Sequence, residues 1–451
     1  MGETEQVRER RWQWATIALL VLGYSGYYLC RANFSVSKPM IITELAASGG
    51  MTEAAAKIAL GAVASWGTLA YACGKFVSGN IADTRGGRGA FLSGMIGAVA
   101  CTILFALGGN LPLFTLAWIG NRAVQSLGWP GLVRISSRWF SFASYGTVLG
   151  VLSLSYLFGD AASRAFMGYL IGAGLSWRSV YFVAAGILAL ALVANALLLR
   201  DTPKQLGLPE PDDAPSSVYA ADPSGEKSVE PRLTLAARLA PLLRAPAFWW
   251  VCLMSLGFTL LRETFNEWTP TYFTEALHFS DAVAARSSAL FPLFGGVSVV
   301  LAGFLSDRLG RGGRARLILA GLIVTAGLLV LLGSAPPALV VPLVSLIGFV
   351  MIGPYSYLAG AVALDFGGKR GGATACGIID GVGYLGGVLA GQKVAQLSVA
   401  YGWQGAFLAL SGVAGLSAVA GLFFLFDQNR AVARGAHTAP PLREETLGNA
   451  I

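Results

Sequence analysis

The 451-residue chain has little charge, little histidine and little cysteine. Only 12% of its residues are charged, about half the share of a soluble domain, which leaves too few charges to cover a globular surface. The two histidines, His278 and His437, lie outside the apolar segments, which argues against a histidine metal site or an intramembrane histidine relay. They also exclude a Ser-His-Asp catalytic set. The five cysteines are scattered singly along apolar runs, so we expect reduced packing residues.

The chain also lacks a Gly-x-x-x-x-Gly-Lys phosphate loop, which argues against ATP-driven pumping. Its formal net charge of +8 is concentrated in alternate loops, as around Arg8, Arg85 and Arg308, while the loops between them are nearly bare. This asymmetry follows the positive-inside rule. It argues against nucleic-acid binding and predicts an even number of membrane spans, with both termini in the cytoplasm.

Long apolar runs fill the rest of the chain, and 55% of all residues are hydrophobic. Runs of about 20 apolar residues are long enough to cross a bilayer as helices. The apolar start continues as a full span without a cleavage site, so no signal peptide is expected. We predict an all-α membrane protein of twelve transmembrane helices, at residues 14–38, 58–82, 89–109, 112–135, 146–171, 178–199, 247–274, 285–306, 315–333, 338–363, 373–397 and 404–426.

One long polar break divides six spans from six. It is rich in Pro, Ser, Asp and Glu and is typical of a solvated linker. The expected organisation is an N-terminal six-helix bundle at residues 1–200, a cytoplasmic linker at 201–245, a C-terminal six-helix bundle at 246–430 and a cytoplasmic tail at 431–451.

The two halves repeat one another. The segment Gly79–Asp83 recurs as Gly303–Asp307, and each copy is followed by arginines. Trp177–Phe182 recurs as Trp403–Leu408, and Leu29–Phe34 recurs as Leu260–Phe265. Three matches, in the same order and at nearly the same offset along the chain, predict two pseudo-symmetric bundles with a binding site between them at mid-membrane depth.

Charged residues inside the spans are candidates for that site, because a charge in the bilayer centre is costly. Arg31 and Arg262 occupy equivalent places in the two halves, and Arg31 is central if its helix continues past it through Ile42. Two guanidinium forks, one from each half, could clamp a dianion; the alternative is a structural pair with Glu263 or Glu267. Lys75 lies near mid-depth and could contact an anion, act as a switching charge or form a structural ion pair.

Further candidates lie on the fifth and eleventh spans. Asp160 and Arg164 are one helical turn apart and can neutralise each other. Asp380 could carry a proton or pair with a cation across the cavity. Hydroxyl groups at cavity depth suit a polar ligand, and we select Tyr28, Tyr71 and Tyr384. The repeated Gly-x-x-x-Asp turns predict a conformational latch or an interfacial anchor, built from Asp83, Arg85, Arg88, Asp307, Arg308 and Arg311.

Several motifs together resemble one transporter family. They are Gly23-Tyr24-Ser25-Gly26-Tyr27-Tyr28-Leu29-Cys30-Arg31-Ala32-Asn33-Phe34, Gly74–Gly79, Gly128-Trp129-Pro130, Asp201-Thr202-Pro203, Gly207-Leu208-Pro209, Glu267–Tyr272, Gly353-Pro354 and Gly383–Gly387. The chain resembles the organophosphate:phosphate antiporters of the major facilitator superfamily, which include glycerol-3-phosphate, hexose-phosphate and glucose-6-phosphate transporters. The resemblance implies that the arginines of helices 1 and 7 hold phosphate with help from a helix 2 lysine, at positions matching Arg31, Arg262 and Lys75.

The chain departs from that family around the clamp. Ala32 stands where members often have a lysine, Tyr156 where the glycerol-3-phosphate transporters have a histidine, and Pro292 at about the place of their helix 8 glutamate. Asp160, Arg164 and Asp380 are additional, so together with Tyr156 they are candidates for coupling or switching.

We therefore expect a secondary transporter, not an enzyme, for an organic anion such as a sugar phosphate or glycerol phosphate exchanged for inorganic phosphate. The alternatives are a proton-coupled carboxylate or phosphonate symporter and a transporter-like hexose-phosphate sensor. No cofactor, metal or nucleic-acid partner is expected, and the protein should be a monomer in the lipid bilayer of the inner (plasma) membrane.

Overall fold

The computed structural model describes residues 3–48, 50–209, 211 and 242–438. In this part of the chain we number twelve α-helices: α1 (Glu3–Ala47), α2 (Glu53–Arg85), α3 (Gly87–Leu107), α4 (Leu111–Gln125), α5 (Gly128–Trp139), α6 (Phe142–Gly172), α7 (Trp177–Leu198), α8 (Pro246–Leu277), α9 (Asp281–Ser288), α10 (Leu290–Gly333), α11 (Pro337–Ser356) and α12 (Ala363–Thr438). A 3-10 helix, Pro203–Leu206, follows α7, and a π-helical stretch, Leu358–Val362, joins α11 to α12. Most of the predicted linker and residues 439–451 of the tail lie outside the described residues.

Helices and membrane crossings do not correspond one to one. Helices α4 and α5 share one crossing, α9 shares one with the first part of α10, and α10 and α12 each contribute to two crossings. Six segments of the described chain are long and apolar enough to cross a membrane by length and composition: Gly87–Leu107, Trp177–Leu198, Asp281–Leu305, Gly313–Gly333, Pro337–Val362 and Ala375–Arg430. The remaining crossings contain more charged or polar residues, among them Arg31, Lys75 and Arg262.

Prolines explain two interruptions that the predicted spans 112–135 and 285–306 did not include. A proline has no N–H, so the carbonyl four residues earlier loses its helical donor. Pro130 removes the donor for Ser126, the residue that caps the end of α4, and Pro292 removes the donor for Ser288, where α9 ends. The predicted fourth and eighth spans are therefore each built from two helices.

Of the prolines that lie inside unbroken helices, two occupy equivalent positions of the two halves. Pro39 lies within α1 and Pro270 within α8, and they are separated by the same offset along the chain as Arg31 and Arg262. Helix α1 continues past its predicted end at residue 38 and ends at Ala47. The condition that places Arg31 at the centre of its span, continuation through Ile42, is therefore met.

Helix α12 contains a reversal of the chain. Gly402 has a φ of +68°, a conformation that favours glycine. Before it, the carbonyl of Ile379 accepts a hydrogen bond from Ser255. After it, Ser417 packs against Gly257. Positions 379 and 417 thus lie beside the same part of α8, so the helix crosses the membrane once on each side of Gly402.

Each half has its own apolar core. In the first half (α1–α7) the core is built around Phe91, Leu132 and Leu188. In the second half (α8–α12) it is built around Phe258, Phe291 and Met351. Most described hydrogen bonds between the halves lie far from the termini along α1, α2 and α8, on a surface that we call the closed end: Ser35, Lys38, Lys57, Ser65 and Arg164 of the first half with Asn266, Glu267, Glu275, Val388 and Gln392 of the second.

Candidate anion-binding site between the two halves

Two arginines from equivalent positions of the two halves line one cavity. Arg31 lies on α1 and Arg262 on α8, and both line one cavity between the halves. Their side chains are mostly buried, with 16% and 17% of their surface exposed. A guanidinium presents a planar fork of N–H donors that suits phosphate or carboxylate oxygens. The structure thus brings together the two residues of the predicted clamp, whose binding role stays a prediction.

A buried carboxylate lies between the two arginines. Glu263 accepts a hydrogen bond from Arg262 Nη2 at 2.8 Å, and its other oxygen is 3.9 Å from Arg31 Nη2. The residue is only 1% exposed. The alternative of a structural pair with Glu263 is therefore part of the observed geometry, since both arginines share this acid within the cavity.

A second ion pair connects the halves beside the cavity. Lys75 Nζ on α2 lies 2.5 Å from Asp380 Oδ2 on α12. Both side chains are partly exposed, at 31% and 26%. Of the two alternatives for Asp380, the structure shows the pair across the cavity, and for Lys75 it shows the structural ion pair; a role of Lys75 in anion contact or switching stays a prediction.

Tyrosine rings surround the cations. The guanidinium carbon of Arg31 lies 5.3 Å from the ring centroid of Tyr28 and 5.0 Å from that of Tyr71. Tyr71 and Tyr384 have ring centroids 5.4 Å apart, and Lys75 Nζ lies 4.5 Å from the Tyr384 centroid. Aromatic faces attract cations at these distances. All three selected tyrosines therefore belong to the same cluster as the clamp.

Two further tyrosines belong to this cluster. Tyr156 on α6 packs against Tyr28 with ring centroids 6.1 Å apart. Tyr355 on α11, which was not among the selected residues, lies 4.8 Å from the guanidinium carbon of Arg262. Each clamp arginine therefore lies beside a tyrosine ring, Arg31 beside Tyr28 and Arg262 beside Tyr355. The place of Tyr355 directly after Gly353-Pro354 in the sequence offered no signal of that contact.

The sequence reasoning missed a third buried arginine. Arg122 on α4 is only 1% exposed, and its guanidinium carbon lies 4.7 Å from the Tyr71 ring centroid. None of its three side-chain nitrogens has a hydrogen-bond partner among the described residues. Its position inside the predicted fourth span was a usable signal, because an arginine in an apolar segment is a functional candidate.

Asp160 and Arg164 form the predicted pair on α6, and the arginine also reaches the other half. Arg164 Nε lies 3.1 Å from Asp160 Oδ1. Its Nη2 donates to the carbonyl of Asn266 at 2.8 Å, and Ser35 donates to the same carbonyl at 2.6 Å. Pro270 cannot supply the helical N–H for that carbonyl. The first half therefore satisfies a backbone acceptor that the second half leaves open.

Lys38, the last residue of the predicted first span, lies at the centre of the closed end. Lys38 is fully buried, and its Nζ donates at 2.9 Å to both the carbonyl and the carboxylate of Glu267. The ammonium also lies 4.0 Å from the Trp268 ring centroid. The predicted span ended at Lys38, but the helix continues past Pro39 and Lys38 lies inside the protein.

Equivalent glutamates at the closed end have different cationic partners. Glu44 accepts hydrogen bonds from Trp177 and Arg178, both of its own half, at 2.6–2.7 Å. Glu275, the equivalent residue of the second half, accepts a bond of 2.7 Å from Trp403. Its cation is Lys57 of the opposite half, at 2.6 Å. One glutamate therefore braces a single half, while the other joins the two halves.

The proposed latch is only partly within the described structure. The side chains of Asp83, Asp307, Arg308 and Arg311 lie outside the described residues. Arg85 ends α2 and is exposed. Arg88 donates its backbone N–H to Asp201 at 2.8 Å and a guanidinium N–H to the carbonyl of Ala196 at 2.6 Å. These bonds hold Arg88 to its own half, and the latch stays a prediction.

Comparison with known proteins gives one family match that spans most of the chain. The family model of the Major Facilitator Superfamily matches residues 20–391. Among solved structures, a bacterial homologue of the human lysosomal transporter Spinster, in an inward-facing and unoccupied conformation, superposes with a TM-score of 0.69. That alignment covers 94% of this chain and 98% of the other at 14% identity, a likeness that concerns the fold alone.

Three curated relatives align over nearly their whole length. A probable hexose phosphate transport protein of Chlamydia trachomatis is 28% identical, with 88% of each chain covered. A glycerol-3-phosphate transporter of Bacillus subtilis is 29% identical, with 87% of each chain covered. The membrane sensor protein UhpC of Escherichia coli is 27% identical, and the alignment covers 93% of this chain and 94% of the sensor.

Proposed function

The chain belongs to the major facilitator superfamily, a family of transporters and not of enzymes, and from that premise we propose that it carries a phosphate ester across the membrane. The substrate would be a sugar phosphate or glycerol phosphate, exchanged for inorganic phosphate by alternating access. One observation carries the proposal. Arg31 and Arg262, from equivalent positions of the two halves, line the same cavity.

The charge of the site supports a dianionic ligand. Three cations, Arg31, Arg262 and Lys75, contact only two carboxylates, those of Glu263 and Asp380, within the described residues. Buried Arg122 adds another positive charge near the Tyr71 ring. A phosphate monoester dianion would compensate this excess and accept hydrogen bonds from both guanidinium forks. The relatives named as hexose phosphate and glycerol-3-phosphate transporters support the same substrate class.

Movement of the halves would follow from the contacts between them. At the closed end Lys38 and Arg164 of the first half bind Glu267 and the Asn266 carbonyl of the second. We infer that the cavity opens on the side of the termini, and that opening the other end requires these contacts to separate. A ligand can drive this change only by binding the two conformations differently. A dianion held by both arginines would draw the halves together on the open side.

We also propose an orientation and a membrane. Arginines cluster in the loops on the side of both termini, as expected for a cytoplasmic face under the positive-inside rule. The open side of the cavity would then face the cytoplasm, in the inner (plasma) membrane of the cell.

Exchange in proteoliposomes tests the proposal. Vesicles loaded with labelled inorganic phosphate should release the label when glucose 6-phosphate or glycerol 3-phosphate is added outside, and R31Q and R262Q should abolish release. R178Q is a matched control, because Arg178 pairs with Glu44 inside one half and does not line the cavity. If neither ester releases labelled phosphate from vesicles containing correctly folded protein, the exchange proposal is wrong.

The similarity to a membrane sensor supports a second candidate, ligand binding without transport. Purified protein that binds sugar phosphate while proteoliposomes show no exchange would favour the sensor. A proton-coupled symporter, the other alternative, would require a proton gradient for uptake and fail as D380N. The Lys75–Asp380 and Asp160–Arg164 pairs speak against it, because both candidate proton sites already have cationic partners.

A further inference from the structure

Glu263 occupies the position where a bound anion would meet the two clamp arginines. One of its oxygens accepts the Arg262 hydrogen bond at 2.8 Å, and the other lies 3.9 Å from Arg31. A carboxylate offers a guanidinium the same two-oxygen edge as a phosphate. A transported anion must therefore either displace Glu263 from the arginines or share them with it.

The repeat shows that the fold does not demand this carboxylate. Position 32 is equivalent to position 263, and the first half has alanine there. On the second half, the side chain of Glu263 passes over Gly387, where an added Cβ would lie 3.2 Å from Glu263 Cγ and 3.3 Å from Thr68 Cγ2. A larger residue at position 387 would crowd the glutamate, so glycine leaves room for its side chain.

Arg122 provides a second, independent observation. The guanidinium is buried and none of its nitrogens has a hydrogen-bond partner in the described part of the chain. Leaving a buried charge unpaired is costly. Arg122 lies close to the part of α2 that Glu263 approaches: a Cβ added at Gly67 would lie 3.0 Å from Arg122 Cγ, and the next residue, Thr68, lies beside Glu263 at Gly387. Both Arg31 and Arg122 lie against the Tyr71 ring, so the glutamate and the unpaired arginine share one cluster.

We propose that Glu263 is a tethered counter-anion that holds Arg31 and Arg262 while the site is empty and moves to Arg122 when an anion binds. The inference rests on the proposed function, because it assumes that the two arginines bind the ligand. In the empty protein Glu263 neutralises part of the clamp. In the occupied protein the ligand takes both guanidinium forks, and Glu263 pairs with the buried cation that had no partner. Glu263 is thus a specificity-determining residue, because only an anion that binds the arginines more strongly than a carboxylate displaces it.

Binding of inorganic phosphate to purified protein tests the exchange of partners. E263Q removes the competitor but keeps the shape, so the dissociation constant for phosphate should fall by about tenfold or more, equal to about 1.4 kcal/mol. As a single substitution, R122Q should weaken phosphate binding about tenfold, since Glu263 then has no alternative partner. In the E263Q background R122Q should change the affinity by about twofold or less, as expected when one residue acts through the other.

Stability measurements show whether each variant is folded and add a second readout. Without ligand, E263Q should melt at a lower temperature, because the two arginines lose their shared acid. Phosphate should raise its melting temperature more than that of the unmodified protein, since a ligand that binds more tightly stabilises the folded state more. E263D retains the charge and should keep a lower phosphate affinity than E263Q. The control E44Q removes a glutamate whose partners lie outside the cavity, and its phosphate affinity should be unchanged.

Different failures have different meanings. Equal or weaker phosphate binding in folded E263Q, with binding in the unmodified protein, overturns the counter-anion inference and leaves the proposed function intact. Equal weakening by R122Q in both backgrounds shows that Arg122 contacts the ligand directly, which overturns the exchange of partners. No phosphate binding in either the unmodified protein or E263Q overturns the inference and the proposed function together.

Discussion

Removal of Lys38 should open the closed end. The Nζ atom of Lys38 is fully buried and makes both of its described hydrogen bonds, each 2.9 Å, to Glu267 of the other half. In K38M the Glu267 carboxylate, whose side chain is only 12% exposed, loses its cation. Breaking a buried ion pair by removing one partner costs about 3–5 kcal/mol. When the halves separate at this end, water hydrates Glu267, so the cost falls on the closed conformation alone.

The expected shift in the conformational equilibrium follows from this free-energy cost. A change of about 4 kcal/mol alters an equilibrium between two conformations by roughly a thousandfold. A reporter cysteine at Thr271 suits the measurement, because this residue is 1% exposed and its hydroxyl has no hydrogen-bond partner among the described residues. In a background without the five native cysteines, a membrane-impermeant maleimide should label Cys at 271 two to three orders of magnitude faster when K38M is present.

Two further variants test whether the unpaired Glu267 carboxylate causes the faster labelling. K38M/E267Q removes both charges, so the uncompensated carboxylate disappears and labelling should return most of the way to the original rate. R178Q breaks an ion pair at the same end but inside one half, and should leave labelling unchanged. Equal labelling in K38M and the parent protein, or equally fast labelling in the double variant, would refute the argument from an unpaired buried charge.

Three other variants probe the cavity and the closed end. R262K keeps the charge but loses the planar fork, so phosphate affinity, measured by titration calorimetry, should fall about tenfold; unchanged affinity would contradict bidentate binding. D380N leaves Lys75 without its acid, and exchange in proteoliposomes should slow while phosphate affinity rises through the added positive charge. P270A restores an N–H for the Asn266 carbonyl, so Ser35 and Arg164 become less necessary and the maleimide labelling should increase.

The equivalence of the clamp arginines could be predicted from the sequence because a duplicated chain keeps a nearly constant offset. The match of Leu29–Phe34 with Leu260–Phe265 relates Arg31 to Arg262 before any contact is known. The spacing of Asp160 and Arg164 likewise predicts their ion pair, because one helical turn separates them. Both predictions concern positions on one helix or on repeated helices. Such positions can be read directly from the order of residues.

The remaining contacts depend on how the two halves meet. Lys38 is the last residue of the predicted first span and precedes Pro39. Its partner Glu267 lies 229 residues away on the other half. Glu263 was considered as a partner of the arginines, but nothing in its neighbourhood along the chain shows that one carboxylate serves both. Arg122 could have been identified from its position in an apolar segment, although its lack of a partner among the described residues appears only in three dimensions.

Prolines show the same limit of prediction from the sequence. Pro130 and Pro292 interrupt helical spans, whereas Pro39 and Pro270 lie within continuous helices. All four remove one helical donor. For Pro270 the difference has a visible cause, because Ser35 and Arg164 donate to the freed carbonyl of Asn266. Sequence identifies the missing donor, but only the tertiary structure identifies its replacement.

The two equivalent glutamates at the closed end, Glu44 and Glu275, show how repeated halves can differ in their contacts. In both halves a tryptophan N–H binds the glutamate at 2.7 Å, at Trp177–Glu44 and Trp403–Glu275. The next residue is Arg178 in the first half but Gln404 in the second. Without an arginine of its own, Glu275 takes Lys57 from across the interface. Two copies of one motif thus serve different bundles: the copy with an arginine holds its glutamate inside one bundle, and the copy without it leaves the glutamate to join the two bundles.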